Sequence, residues 1–251
     1  MNKGGNLTHG KEAWGHLERI INRGRDRGRV FHDWLDLMLA ALLALTDNMC
    51  RDNFLAKFKA NEMDGAYNDR YMEIVGRYAD DRAQGDRDID HFKAAYAALM
   101  REVIETQHDV LGEIYQRRIT FGEHGQYFTP APIAHVMAEI VGGESGDVND
   151  PSCGSGVMLI EASKVNADRE FYGTDLDQRC AKMCTLNMIF FDLNAVIDWG
   201  DTLAGKTFLR WVVCKGGYVY EIEPKEEAKQ EDAKPEPPPT PSIQGALPFA
   251  A

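Results

Sequence analysis

The chain has 251 residues, 44% of them hydrophobic, and a formal net charge of −12, enough to build one substantial core with a smaller helical lobe. The charge is uneven: residues 1–30 hold seven Lys/Arg against three acids, and residues 223–251 hold three against six. The strongly acidic body between them excludes DNA binding through a broad basic face and leaves such contact to local patches or a partner.

The first segment, residues 1–28, is Gly- and Arg-rich and reads as a basic flexible arm. Arg23, Arg25, Arg27 and Arg29 are either solvated or placed to touch phosphates. Residues 29–120 form a helical lobe, because apolar residues recur at three- and four-residue spacing: Phe31, Trp34, Leu35, Met38 and Leu42, later Phe92, Tyr96, Met100, Val103 and Ile104, then Val110, Leu111 and Ile114. Its longest apolar run, "LMLAALLALTDN", is about 12 residues where a membrane span needs about 20, so it reads as a buried helix. No apolar segment marks a secretory signal at the amino terminus. Five cysteines at positions 50, 153, 180, 184 and 214 fit no disulfide framework or paired zinc knuckles, so reduced thiols in a cytoplasmic protein are expected. Cys180 and Cys184, one helical turn apart, read as core residues, and no metal site is expected there.

Residues 121–222 change to short β-prone runs alternating with helical ones, the βαβ signature. "GDVND" predicts a strand, "PSCGSG" a turn and "VMLIEASKV" a helix. Glycines there let the backbone approach a ligand, and the helix start offers free N–H groups. "REFYGTDLD" predicts a second strand ending in Asp175, 19 residues beyond Gly156, an acid placed to accept from ribose hydroxyls. "AVIDW" predicts a third strand delivering Asp201 at its carboxyl end, where open parallel sheets bind ligands; the alternative for Asp201 is a helix N-cap. "TLAGKTFLRWVVCKGGYVYEIE" reads as one hairpin with a Lys-Gly-Gly turn. Residues 223–251, charged and then Pro-rich, read as a disordered tail.

The wording "DPSCGSG" resembles the S-adenosylmethionine loop of the N6-adenine DNA methyltransferases, in particular the modification subunits of type I restriction systems. "GQYFTP" preceded by "DVLGEIYQRR", then "YGTDLD" and "GDTL", agree in order and spacing over roughly residues 105–205. The resemblance implies a helical amino-terminal lobe followed by an incomplete Rossmann-like α/β methyltransferase domain. It implies that Tyr127, Phe128, Thr129 and Pro130 wrap the methionine end of S-adenosylmethionine, with core packing the alternative for the two aromatics. Asp150, Cys153, Gly154 and Gly156 would form the turn beneath it, with Asp150 near the amino group. Asp175 would hold the ribose, Leu176 would pack on the adenine ring, and Asp201 would accept from the adenine amine.

The family's base-handling signature, Asn-Pro-Pro-Tyr, has no counterpart: no asparagine follows Asn194, and "EPPPT" stands in the tail without a strand before it. A complete methyltransferase sheet has seven strands, and three or four are missing. Met1 and the tail read as natural ends, so the expectation is a whole chain holding half a cofactor domain and no catalytic residue of its own. Two functions follow. One is an S-adenosylmethionine-binding protein of DNA methylation or restriction-modification that depends on a partner for catalysis. The other is an inactive module that keeps the pocket for structure or sensing and acts through protein partners. Gln244, Leu247 and Phe249 match the spacing of peptides that dock on bacterial sliding clamps, one candidate partner beside DNA.

Overall fold

The computed structural model describes residues 6–49, 65–120, 129–141 and 146–224. Tyr127 and Phe128 lie outside them, as does the segment bearing Gln244, Leu247 and Phe249. No helix among the described residues is long and apolar enough to cross a membrane.

From residue 6 on, the segment expected to be a flexible arm is instead part of the lobe. Ala13, Trp14, Leu17 and Ile20 make one helical stripe, and helix α1 (Lys11–Ile21) buries all four. They pack against a later helix of the lobe, Asp88–Thr106. The arginines that follow are paired. Arg23 donates to Asp86 and Asp88 at 2.7 Å each, Arg29 Nε donates to Asp33 at 3.0 Å, and Arg27 lies over the Trp14 ring. Carboxylates of the same lobe thus pair Arg23 and Arg29 of this run.

Helix α2 (Arg27–Met49) carries the long apolar run and buries Phe31, Trp34, Leu35, Leu39 and Leu43. One side packs on α3 (Ala66–Arg77); the other reaches the sheet. Helix α4 (Asp88–Thr106) follows, then the short α5 (Val110–Ile114), which continues as a π-helical turn over Tyr115–Thr120. Helix α6 (Ala131–Val141) leads into the sheet and packs on α7 (Val157–Val165).

The predicted βαβ order holds. Strands β1 (Val148–Asp150), β2 (Glu170–Asp175) and β3 (Asn194–Asp201) are parallel, joined through α7 and through α8 (Gln178–Phe190). The hairpin is β4 (Lys206–Cys214) and β5 (Tyr218–Ile222), with Gly216 and Gly217 at φ 89° and 81° in the turn. It does not stand apart. Strand β4 pairs antiparallel with β3, so the order is β1-β2-β3-β4-β5. β1 is therefore an edge strand among the described residues. The register shifts at Trp199/Gly200, and there the lack of a side chain on Gly200 lets β4 approach closely, since a Cβ would sit 2.6 Å from the Lys206 carbonyl oxygen.

Lobe and sheet share one hydrophobic core, from Leu7 through Trp34 and Leu111 to Phe171, Ile197 and Val219. Across this seam, Lys182 of α8, 2% exposed, donates to Asp36 of α2 at 2.5 Å and lies 3.1 Å from His32 Nε2. Arg70 of α3 spans Asp36 and Glu221, and Glu221 also accepts from Trp211 Nε1 at 2.9 Å. Burial lowers the Lys182 ammonium below its ordinary range, and Asp36 opposes that shift. A buried charge stripped of its partner is far costlier than a pair removed together. Asp36→Ala is therefore expected to cost about 3 kcal/mol or more in urea unfolding. Asp36→Leu combined with Lys182→Met should recover most of that loss.

Candidate functional site

Strand β1 ends at Asp150, and the chain turns through Pro151–Gly156 before entering α7. Gly154 and Gly156 take φ values of 55° and 93°, the left-handed region in which a side chain is strained. At Gly156 space gives a second reason, because a Cβ would come within 2.8 Å of Cys184 Sγ on α8. The turn can press on α8 only as glycine.

Backbone hydrogen bonds join this turn to the end of β2. Cys153 N donates to the Thr174 carbonyl at 2.9 Å. Gly154 N donates to Asp175 Oδ2 and Asp177 N to Asp175 Oδ1, both at 2.8 Å. Asp150 Oδ1 accepts from Ser152 N at 3.1 Å. On the far side, Thr202 Oγ1 donates to the Pro151 carbonyl at 2.7 Å, which sets the end of β3 against the turn. Trp199 Nε1 donates to the Leu176 carbonyl at 3.1 Å and steadies that loop, while the Leu176 side chain itself stands 65% exposed.

The structure thus brings Asp150, Cys153, Gly154, Gly156, Asp175 and Leu176 around one turn. Asp201 stands at the carboxyl end of β3. Its Oδ1 accepts from Ala204 N at 3.0 Å and closes the tight turn between β3 and β4. That is a capping role, at a strand turn rather than at a helix. Thr129 shares a cavity of about 600 Å³ with Asp150 and Ser152, bounded by Met158 and Arg169. Pro130 lines a second cavity of about 340 Å³ between α5 and the start of α7. Both volumes fall in the range of small-molecule sites.

Burial raises the carboxyls of Asp150 and Asp175 above the ordinary aspartate range, and the amides donating to them oppose it. The hydrogen bond with Cys184, together with burial, holds Cys153 as a thiol. It is buried, as are Cys180 and Cys184, both in α8.

The residues that set the turn against the lobe do not stand out in the sequence. Asp109 is buried, accepts from Gly112 N at 2.8 Å and from Asn187 Nδ2 at 2.8 Å, and takes a short hydrogen bond from Ser155 Oγ. Asn187 Nδ2 also donates to the Ser155 carbonyl at 2.8 Å. Burial raises the Asp109 carboxyl, and its three donors offset that. A Cβ on Gly112 would overlap Asp109 Oδ2 and Ser155 Oγ. Gly112→Ala is accordingly expected to lower stability by about 1–3 kcal/mol in denaturant unfolding, the usual range for overpacking a closed site. Gly15→Ala, where an added Cβ meets nothing within 4 Å, should not destabilise.

The family described as N-6 DNA Methylase matches residues 105–220. The chain is 28% identical over 132 residues to a type I restriction enzyme methylase subunit of Mycoplasma pneumoniae, covering 45% of this chain and 24% of that protein. It is 28% identical over 116 residues to another such subunit of Methanocaldococcus jannaschii, covering 41% and 20%. A type II restriction enzyme and methyltransferase of Heyndrickxia coagulans is 32% identical over 103 residues, covering 34% and 16%. The chain thus spans a quarter or less of the length of these relatives. A solved methyltransferase subunit of a type I restriction-modification system from Streptococcus thermophilus aligns with a TM-score of 0.38 at 16% identity, over 73% of this chain and 55% of that one.

Proposed function

We propose, from the match of residues 105–220 to the family described as N-6 DNA Methylase, that the chain binds S-adenosylmethionine at the Pro151–Gly156 turn and serves adenine-N6 methylation of DNA together with a partner. The observation that carries this reading is the joining of the turn to Asp175 through Gly154 N. It fixes an acid at the tip of the second strand beside a glycine turn at the tip of the first, the nucleoside-binding arrangement of open α/β sheets.

The donor set fits the cofactor. Each Asp175 oxygen accepts one backbone N–H and keeps lone-pair capacity for a ribose hydroxyl. Asp150 uses one oxygen on Ser152 N, which leaves the other for an ammonium group. The exposed Leu176 side chain offers an apolar cover for a purine face. Thr129 and Pro130, with Tyr127 and Phe128 ahead of them, are assigned to the methionine end. S-adenosylmethionine supplies an electrophilic methyl group on its sulfonium. The residues of this chain bind and orient; the groups that accept from the adenine amine are assigned to another polypeptide. One observation supports that division: β1, which bears the turn, is a sheet edge among the described residues. Two of the relatives are themselves named as methylase subunits.

Titration calorimetry should show one S-adenosylmethionine bound per chain. Asp175→Ala should weaken binding by about 1.5–3 kcal/mol through loss of a charged acceptor. Absence of heat at millimolar cofactor would sink the cofactor assignment. Acid should weaken binding too: the ligand carries positive charge, Asp150 and Asp175 favour it only when ionised, and burial holds both pKa values above the ordinary range. Affinity is therefore expected to be full at neutral pH and to fall as the pH drops through those raised values, earlier than a solvent-exposed aspartate would dictate. In a tritiated-methyl assay on mixed-sequence DNA, the isolated chain should transfer nothing. Stoichiometric incorporation into adenine would contradict the need for a partner.

A further inference from the structure

A second group of ligating side chains lines the cavity that Pro130 also lines. His9, ahead of α1, His108, between α4 and α5, and Glu113 of α5 each offer one ligand atom, and these atoms all lie within 4.8 Å of one another. All three line the cavity of about 340 Å³. They are shielded without being sealed, with side-chain exposures of 27%, 29% and 9%.

Their surroundings prepare them as ligands. His9 Nδ1 lies 3.1 Å from Glu102 Oε1, and the other oxygen of Glu102 accepts from Gly10 N at 2.9 Å. A carboxylate on one imidazole nitrogen fixes the tautomer and leaves the other nitrogen as a lone-pair donor, the usual support of a metal-bound histidine. Glu113 is divided in the same way. Its Oε1 accepts from Thr8 N at 2.5 Å and faces Arg117 Nε at 3.1 Å. Its Oε2 stands 3.4 Å from His108 Nε2. Two ligands each about 2.1 Å from one tetrahedral ion are about 3.4 Å apart. The two imidazole rings approach to 4.3 Å between centroids, so nothing bulky separates them.

We propose that His9, His108 and Glu113 bind one divalent cation of the zinc type, which clips the segment before α1 to the junction of α4 and α5. Two imidazoles with one carboxylate suit zinc better than calcium or magnesium, which favour all-oxygen sites, and no thiolate is there to select a softer ion. Three protein ligands leave a position open toward the cavity. None of the three ligands is assigned to the cofactor, although Pro130 lines the same cavity, and zinc uptake is read separately from cofactor binding.

The test uses the full chain, stripped with a chelator, dialysed, and titrated with zinc. Expected are one zinc per chain by elemental analysis, a higher melting temperature with zinc than without, and, after cobalt(II) substitution, visible d–d bands without thiolate charge transfer. His9→Gln with His108→Gln should abolish stoichiometric binding. Glu102→Gln, which touches no ion, should weaken it roughly 10–100-fold, as loss of an orienting partner does. A histidine pair that only packs would show no such dependence. If the double variant does not fold, X-ray absorption on the zinc-loaded wild type decides, with two imidazoles expected in the shell. A wild type that takes up no stoichiometric zinc, a double variant that keeps a full equivalent, or a shell without two imidazoles would overturn the proposal.

Discussion

Asp109 is the contact through which the helical lobe holds the glycine turn. A buried carboxyl is unfavourable unless its lone pairs find donors, and here donors come from three directions: its own helix at Gly112 N, the turn at Ser155 Oγ, and α8 at Asn187 Nδ2. Each donor comes from a different part of the chain. The requirement to satisfy one buried acid therefore fixes where α5, the turn and α8 stand relative to one another. Gly112 is the steric counterpart, since only a residue without Cβ leaves room for Ser155 beside Asp109.

Around this contact the fold is organised by what α2 touches. It is apolar on more than one face, so it can bury α3 on one side and the sheet on the other, and the core runs unbroken between lobe and sheet. The far edge of the sheet is managed from the same helix: Val219 N on β5 donates to Thr46 Oγ1 at 3.2 Å. The ion pairs of Lys182, Asp36, Arg70 and Glu221 lie along this seam. Such pairs fix geometry more than they add stability, and here the geometry is the seating of α2 and α3 against α8 and β5.

The acidic balance of the chain takes on a local meaning in this frame. Many of its carboxylates answer arginines within the lobe, such as Asp86 and Asp88 with Arg23 and Asp33 with Arg29 and Arg77. Others serve as backbone acceptors at turns: Asp150 for Ser152, Asp175 for Gly154 and Asp177, Asp201 for Ala204. Around the turn, acids both shape the backbone and present charge.

The sequence by itself determined the elements that depend on near neighbours. Gly154 and Gly156 marked the turn because positive φ is a local demand. Alternation in "EFYGTD" and the Lys-Gly-Gly turn marked β2 and the closing hairpin, and apolar spacing marked the lobe. Where composition spoke louder than spacing, the reading failed: the Gly and Arg content before Val30 hid the stripe of Ala13, Trp14, Leu17 and Ile20, and charges that look solvated in a list find carboxylates more than 60 residues away. Only the tertiary structure decided that β4 joins β3, that Asp201 closes that turn, and that Asp109 meets Ser155 and Asn187, which lie 46 and 78 residues further along the chain. A side chain carries its own turn and helix preferences wherever it stands. The partner that satisfies a buried polar group is chosen by how the whole core packs, and no stretch of sequence contains that choice.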